Sequence, residues 1–176
     1  TAGIVVRCLD ATEYPLPNAG EPFGVAAGAD GKVWFTDVNR AVVSHINTDG
    51  TNIVDIPTAG SAKQIINGPD NKLWFAEDNN GKIGRIDPTV GAASLVEFQA
   101  VPGGGDVLYG LAVGPDGKIW FTGHVATGPG GAVVGNITLD GLTVKTYPIP
   151  SIDAEPEGLV AGPDGNAIAV QQGAEV

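Results

Sequence analysis

Hydrophobic and polar positions alternate along this chain in short runs that end at turn residues, and no stretch keeps the three-to-four residue spacing of an amphipathic helix. One run recurs. Gly28-Ala29-Asp30-Gly31-Lys32-Val33-Trp34-Phe35-Thr36 is followed by Gly68-Pro69-Asp70-Asn71-Lys72-Leu73-Trp74-Phe75-Ala76 and by Gly114-Pro115-Asp116-Gly117-Lys118-Ile119-Trp120-Phe121-Thr122. A fourth, decayed copy reads Gly162-Pro163-Asp164-Gly165-Asn166-Ala167-Ile168-Ala169-Val170. The tryptophan position returns after 40, 46 and 48 residues, close to the blade period of roughly 40 to 50 residues that marks propellers.

Each copy predicts four strands. A small apolar run comes first (24–27, 65–67, 110–113, 158–161), where small residues suit the crowded inner end of a blade. The Asp-Gly or Asp-Asn pair tolerates positive φ and makes a tight hairpin. The β-branched and aromatic run that follows, residues 33–36 and its equivalents, forms the second strand. A third (42–46, 82–86, 133–137) and a fourth (53–56, 95–98, 144–147) complete the blade. The expected fold is an all-β propeller of four-stranded antiparallel blades, with about four blade equivalents over a single domain, 1–176. The repeats fall at about 19–57, 58–98, 99–150 and 151–176. Residues 4–9 and 13–16 read as two further strands that could close the last blade. A small closed ring, a pair of chains and part of a longer propeller all fit this pattern. An open arc would leave edges and apolar faces bare, so closure or pairing is expected.

On this reading Trp34, Trp74 and Trp120 pack between blades, and Asp30, Asp70, Asp116 and Asp164 are turn formers. The net charge of −11 disfavours nucleic acid and anionic membrane surfaces as partners, and no apolar run approaches the roughly 18 to 20 residues of a membrane span. A single cysteine, Cys8, excludes an intrachain disulfide framework and reads as a small buried hydrophobe. The chain lacks methionine and begins at Thr1, which suggests a processed chain or a fragment, and Asn136-Ile137-Thr138 is a glycosylation sequon. The expectation is a secreted, extracellular protein. The Pro102-Gly103-Gly104-Gly105 stretch precedes a strand and lacks the Lys-Ser/Thr of a phosphate loop.

The motif Gly-Pro-Asp-Gly-Lys-(Ile/Val)-Trp-Phe-Thr, with Lys82-Ile83-Gly84-Arg85-Ile86-Asp87 and Tyr147-Pro148-Ile149-Pro150, resembles the repeat of the virginiamycin B lyase family of β-propellers. More distantly it is similar to NHL-repeat and gluconolactonase-like propellers. The resemblance implies a propeller, usually seven-bladed and longer than this chain, with a characterised member that linearises a cyclic depsipeptide by magnesium-dependent elimination at an ester. It also implies a catalytic histidine in a Pro-His-Gly segment leading into an innermost strand. Here Phe23, Gln64, Tyr109 and Glu157 stand at those places, so the enzyme reading is left open beside a binding one.

Strand order puts the channel face at the start of the innermost strands and at the turn between second and third strands. Asp37, Glu77 and Glu157 there could hold Mg²⁺ or Ca²⁺, hard cations that favour oxygen ligands, with Gln171 at the matching place in the fourth copy. His124, in a Gly-rich loop, is the candidate base, Tyr109 and Glu157 are further candidate catalytic groups, and His45 falls in a third strand away from the axis. Three functions follow as expectations: a lyase-like propeller, a non-catalytic propeller that binds a small molecule, peptide or partner, and a gluconolactonase-like hydrolase. The partners expected are a ligand at the channel face and either a second copy or further blades.

Overall fold

The computed structural model describes residues 13–16, 20–101, 107–125, 131–150, 155–162 and 164–172. Three four-stranded antiparallel sheets follow one another. The first is β1 (Pro22–Ala27), β2 (Val33–Asp37), β3 (Val42–Ile46) and β4 (Val54–Pro57). The second is β5 (Ser61–Asn67), β6 (Leu73–Asp78), β7 (Lys82–Ile86) and β8 (Val96–Gln99), with a 3-10 turn at Gly91–Ser94. The third is β9 (Val107–Val113), β10 (Ile119–His124), β11 (Ala132–Ile137) and β12 (Val144–Pro148). A last pair, β13 (Glu155–Ala161) and β14 (Ala167–Gln172), starts a fourth blade. The inner strands β1, β5, β9 and β13 stand side by side in that order, so the blades form an open arc rather than a closed four-bladed ring.

Residues 13–16, expected as a strand, run without regular structure, and the expected strand at 4–9 lies outside the described residues together with Cys8 and the 102–105 stretch. Among the described residues there is no α-helix, and none long and apolar enough to cross a membrane. Asn136 sits in β11, opposite Trp120 and Lys145, and only 3% exposed. The folded chain therefore does not present its sequon.

The glycine, the aspartate, the second turn residue and the tryptophan of the recurring motif each have a physical reason. In the first three copies the indole Nε1 of the tryptophan donates to Oδ1 of the turn aspartate: Trp34 to Asp30 at 3.0 Å, Trp74 to Asp70 at 3.0 Å and Trp120 to Asp116 at 2.9 Å. The indole lies against the backbone of the motif glycine. A Cβ on Gly28 or Gly68 would come within 2.5 Å of the ring, and one on Gly114 within 2.2 Å. The second turn residue is left-handed in all four copies, with φ of +77° at Gly31, +59° at Asn71, +73° at Gly117 and +84° at Gly165.

Each blade has two unlike faces. The tryptophan side of one blade packs on the phenylalanine side of the next, joining Trp34 and Val43 to Ile65, Leu73, Phe75 and Ile86. The next interface joins Trp74 and Ile83 to Leu111, Ile119, Phe121 and Ile137. Gly84 and Gly135 lie opposite Phe75 and Phe121, where a Cβ would meet the rings at 2.0 and 2.3 Å. Trp34 and Trp74 are fully buried, as interblade residues should be, whereas Trp120 is half-buried and stacks on Tyr147 at 6.2 Å, since only two strands of the next blade cover it.

The indole bond gives a differential test. Asp70→Ala leaves the buried Trp74 N–H without its acceptor and should cost about 1–3 kcal/mol in denaturant unfolding. Asp164→Ala, where Ile168 replaces the tryptophan and the carboxylate bonds Asn166 alone among the described residues, should cost much less. Equal losses would show that the aspartate acts through the turn alone.

Candidate functional site

The inner strands begin two to four residues earlier than the small apolar runs suggest, because each contains a β-bulge. In the first three blades two inner-strand residues face one residue of the second strand: Phe23 and Gly24 face Thr36, Lys63 and Gln64 face Ala76, and Tyr109 and Gly110 face Thr122. In β13 the extra residue is Glu157. A bulge redirects a side chain out of the pleat. Here the redirected side chains meet. Phe23, Lys63, Tyr109 and Glu157, with Gly24 and Gln64, line a cleft of about 500 Å³ beside the axis of the arc.

The neighbours of the bulge fix its shape. Gly24 N–H donates to Thr36 Oγ1 at 2.8 Å, and that hydroxyl donates to the Lys63 carbonyl of the next blade. Gly110 N–H donates to Thr122 Oγ1 at 2.9 Å. A Cβ on Gly24 would lie 2.8 Å from the Lys63 carbonyl oxygen, and one on Gly110 2.6 Å from that of Glu157, so glycine lets adjacent inner strands approach. In the second blade Gln64 replaces the glycine and Ala76 the threonine, and Gln64 Oε1 accepts the Leu111 N–H of the third blade at 2.7 Å. Gln64 is thus a strut between blades. The residue matching Phe23, Tyr109 and Glu157 is Lys63, not the Gln64 expected from the sequence.

Charge in the cleft is arranged around Tyr109. Lys63 Nζ lies 4.7 Å from the centre of its ring and pairs with Asp78 Oδ2 at 3.0 Å. Burial, and then the negative charges of Glu155, Asp78 and Glu157, push the Tyr109 phenol above its ordinary value. It is therefore a neutral hydrogen-bonding group at physiological pH, able to donate a proton and unsuited to act as a phenolate base. Glu157 is exposed.

The other expected site residues lie elsewhere. His124 ends β10 as a strand residue, paired with Val107 and Ala132, its ring so close to Gly131 that a Cβ there would lie 2.2 Å from Nε2. It does not line the cleft. His45 is buried against Trp34 at 4.8 Å between ring centres. Asp37 is fully buried and held by Arg40, whose Nε donates to Oδ2 at 2.8 Å and whose backbone N–H donates to Oδ1 at 3.1 Å. Burial alone would raise this carboxyl, but the Arg40 side chain and the backbone N–H groups of Glu21 and Arg40 hold it below the usual range. Arg40 also pairs with Asp55 at 2.6 Å, within the same blade.

Glu77 is fully buried in its own blade, with Oε2 accepting from Asn80 Nδ2 at 2.5 Å and Oε1 without a partner. Asp37, Glu77 and Glu157 therefore do not converge. No group of three His, Cys, Asp or Glu side chains gathers to hold a metal ion among the described residues. The residues present do not fit the Mg²⁺ or Ca²⁺ site that the acidic trio suggested. The side chain of Gln171 lies outside the described residues.

Residues 5–175 match the Virginiamycin B lyase family. The chain belongs to that family. It is 33% identical over 148 residues to virginiamycin B lyase of Nocardia farcinica, covering 84% of this chain and 49% of that protein. Among solved structures it is similar to a catalytically inactive histidine-to-alanine variant of Staphylococcus aureus virginiamycin B lyase with quinupristin, at a TM-score of 0.78 and 29% identity over 91% of this chain and 52% of that one. A streptogramin B lyase structure matches at a TM-score of 0.73 and 30% identity, over 93% of this chain and 59% of that one. The chain thus spans about half the length of the virginiamycin B lyases it matches.

Glu77 yields a pH prediction. Burial, reinforced by the nearby charge of Glu97 and only partly offset by Asn80 and Lys82, pushes its carboxyl up to about 7. Between the ordinary range near 4.5 and about 7, the folded chain keeps a proton that the unfolded chain has released. Stability should therefore fall as pH rises through that window, by about 3 kcal/mol, and level off above it. Glu77→Gln should flatten this fall and raise Tm at pH 8. A variant that melts below the native chain at pH 8, with the slope unchanged, would remove Glu77 as its source.

Proposed function

We propose that this chain is a ligand-binding portion of a virginiamycin B lyase-type propeller, whose cleft takes an ester-containing, depsipeptide-like molecule. The supporting observation is the bulge-lined cleft. It sets the Phe23 and Tyr109 rings beside the Lys63 ammonium and the Glu157 carboxylate, an apolar and polar mixture suited to a peptidic ring with aromatic substituents. The Staphylococcus aureus relative that shares this fold is described with quinupristin.

Elimination at an ester requires a base within about 3 Å of the proton removed and a group to stabilise the developing enolate. The proton leaves the carbon next to the carbonyl, the carbon–oxygen ester bond breaks, and the opened product is an isomer of the ring. In this cleft Lys63 and Tyr109 can position a carbonyl and donate hydrogen bonds to it. His124 is outside the cleft, and the inactive Staphylococcus aureus variant marks a histidine as necessary in that enzyme. Binding without turnover is the reading that this set of groups supports. A gluconolactonase-like hydrolase would need a metal ringed by carboxylates, and the described residues gather none.

Calorimetric titration of the 176-residue chain with quinupristin should give saturable binding, weakened about tenfold by Tyr109→Ala through loss of ring contact. Incubation with Mg²⁺ should leave the ring closed. Turnover to an isomer of unchanged mass that vanished in Glu157→Gln would establish the lyase reading instead, and a product heavier by one water would establish the hydrolase.

A further inference from the structure

The cleft holds more acid than base. Three carboxylates, Glu155, Asp78 and Glu157, place negative charge at the Tyr109 phenol, and Lys63 is the one cation lining the cleft among the described residues. That cation is already engaged. Lys63 Nζ pairs with Asp78 Oδ2 at 3.0 Å, the two side chains only 17% and 20% exposed, and it lies 4.7 Å from the centre of the Tyr109 ring. An ammonium so placed has its charge met by the carboxylate and the ring face, and keeps N–H capacity for an uncharged acceptor. Glu155 and Glu157 stand one strand over from Tyr109, both exposed. A Cβ on Gly110, the residue after the tyrosine, would lie 2.6 Å from the Glu157 carbonyl oxygen, so the two bulges abut. No Lys or Arg pairs with either glutamate among the described residues.

An intact ester carries no charge, and opening it creates one. In elimination the carbon–oxygen bond breaks with its electron pair on the departing carboxylate, while the base takes the proton from the neighbouring carbon. In hydrolysis one water adds across the acyl–oxygen bond and leaves an acid and an alcohol. Either way the opened molecule bears a carboxylate at neutral pH. From the charge arrangement we infer that the cleft separates closed, ester-bearing rings from their opened acids, with Glu157 and Asp78 as the residues that set this specificity. Glu157 repels the new carboxylate directly. Asp78 acts through Lys63, by occupying the ammonium that would otherwise attract it. Specificity is a difference of affinities, and a like charge facing the wrong ligand creates it as surely as a contact to the right one. The ligand in this inference rests on the depsipeptide reading of the cleft, whereas the sign of the field at Tyr109 belongs to these side chains alone.

Calorimetric titration of the 176-residue chain with quinupristin, with the linear acid made by hydrolysing its ester, and with the methyl ester of that acid separates charge from ring shape. In low salt the linear acid should bind at least about tenfold more weakly than its own methyl ester, and the gap should shrink in about 0.5 M salt. Glu157→Gln should narrow the gap. Asp78→Asn, which frees the Lys63 ammonium, should bring the acid level with the methyl ester or tighter. An acid that binds the native chain as well as its methyl ester does would overturn the inference, and so would a gap that neither variant changes. If none of the three molecules binds, the depsipeptide reading falls, and the field is read without a ligand. Broadening of the isotope-labelled Tyr109 ring resonances by a cationic nitroxide should then exceed that by an anionic one at least about twofold. Equal broadening, or more by the anion, would overturn the inference.

Discussion

Everything in this arc depends on how one indole is seated. The tryptophan of each intact repeat needs its N–H satisfied before it can be buried, and the turn aspartate four residues earlier does so from inside the same hairpin. The same carboxylate oxygen accepts the backbone N–H of the lysine two residues on, so closing the turn and seating the ring are one event. The lack of a Cβ at the motif glycine leaves room for the ring against the backbone. The largest apolar side chain of a blade is thereby held by contacts within its own hairpin and presented to the next blade. In the decayed fourth copy, with isoleucine in place of tryptophan, the aspartate accepts from the asparagine two residues on, and the turn keeps its left-handed glycine.

The seated rings set the spacing of the blades, and the spacing sets the inner strands close together. Where they crowd, glycine and a threonine hydroxyl bridge them, and Gln64 takes over that bridge where both are replaced. Each bulge then has a rigid frame on both sides. The acidic groups at the turns between second and third strands are used differently: Asp37 and Glu77 brace their own blades through Arg40 and Asn80. Much of the acidity that looked available for chemistry is thus committed to architecture.

The four-stranded repeat and the order of its strands were legible in the sequence because the motif repeats turn, small and β-branched or aromatic residue types at fixed places, whereas the split of tryptophan and phenylalanine onto opposite faces of a blade was not read from it. The indole acceptor role of Asp30, Asp70 and Asp116 was hidden behind their evident value as turn residues. The bulges were hidden too, since nothing in the residue types of Phe23, Lys63, Tyr109 and Glu157 announces them. A usable signal was present: each lies eleven residues before the tryptophan position, a constancy that points to Lys63 rather than Gln64. The acidic trio failed for a simpler reason. Strand order places residues on a face of the ring, but whether three carboxylates meet depends on which partners each has in its own blade, and Arg40 and Asn80 were not read as partners.

The bulge has a consequence for how such a protein can change. A residue pushed out of the pleat contributes little to the ladder or to the core, so its identity is nearly decoupled from folding. Each repeat therefore carries one position at which ring, cation, phenol or carboxylate can be exchanged while the backbone stays put, and this chain displays all four. The fold works as a holder with interchangeable bits: specificity can drift from one ligand chemistry to another by single substitutions at fixed addresses, without the stability losses that core changes would impose.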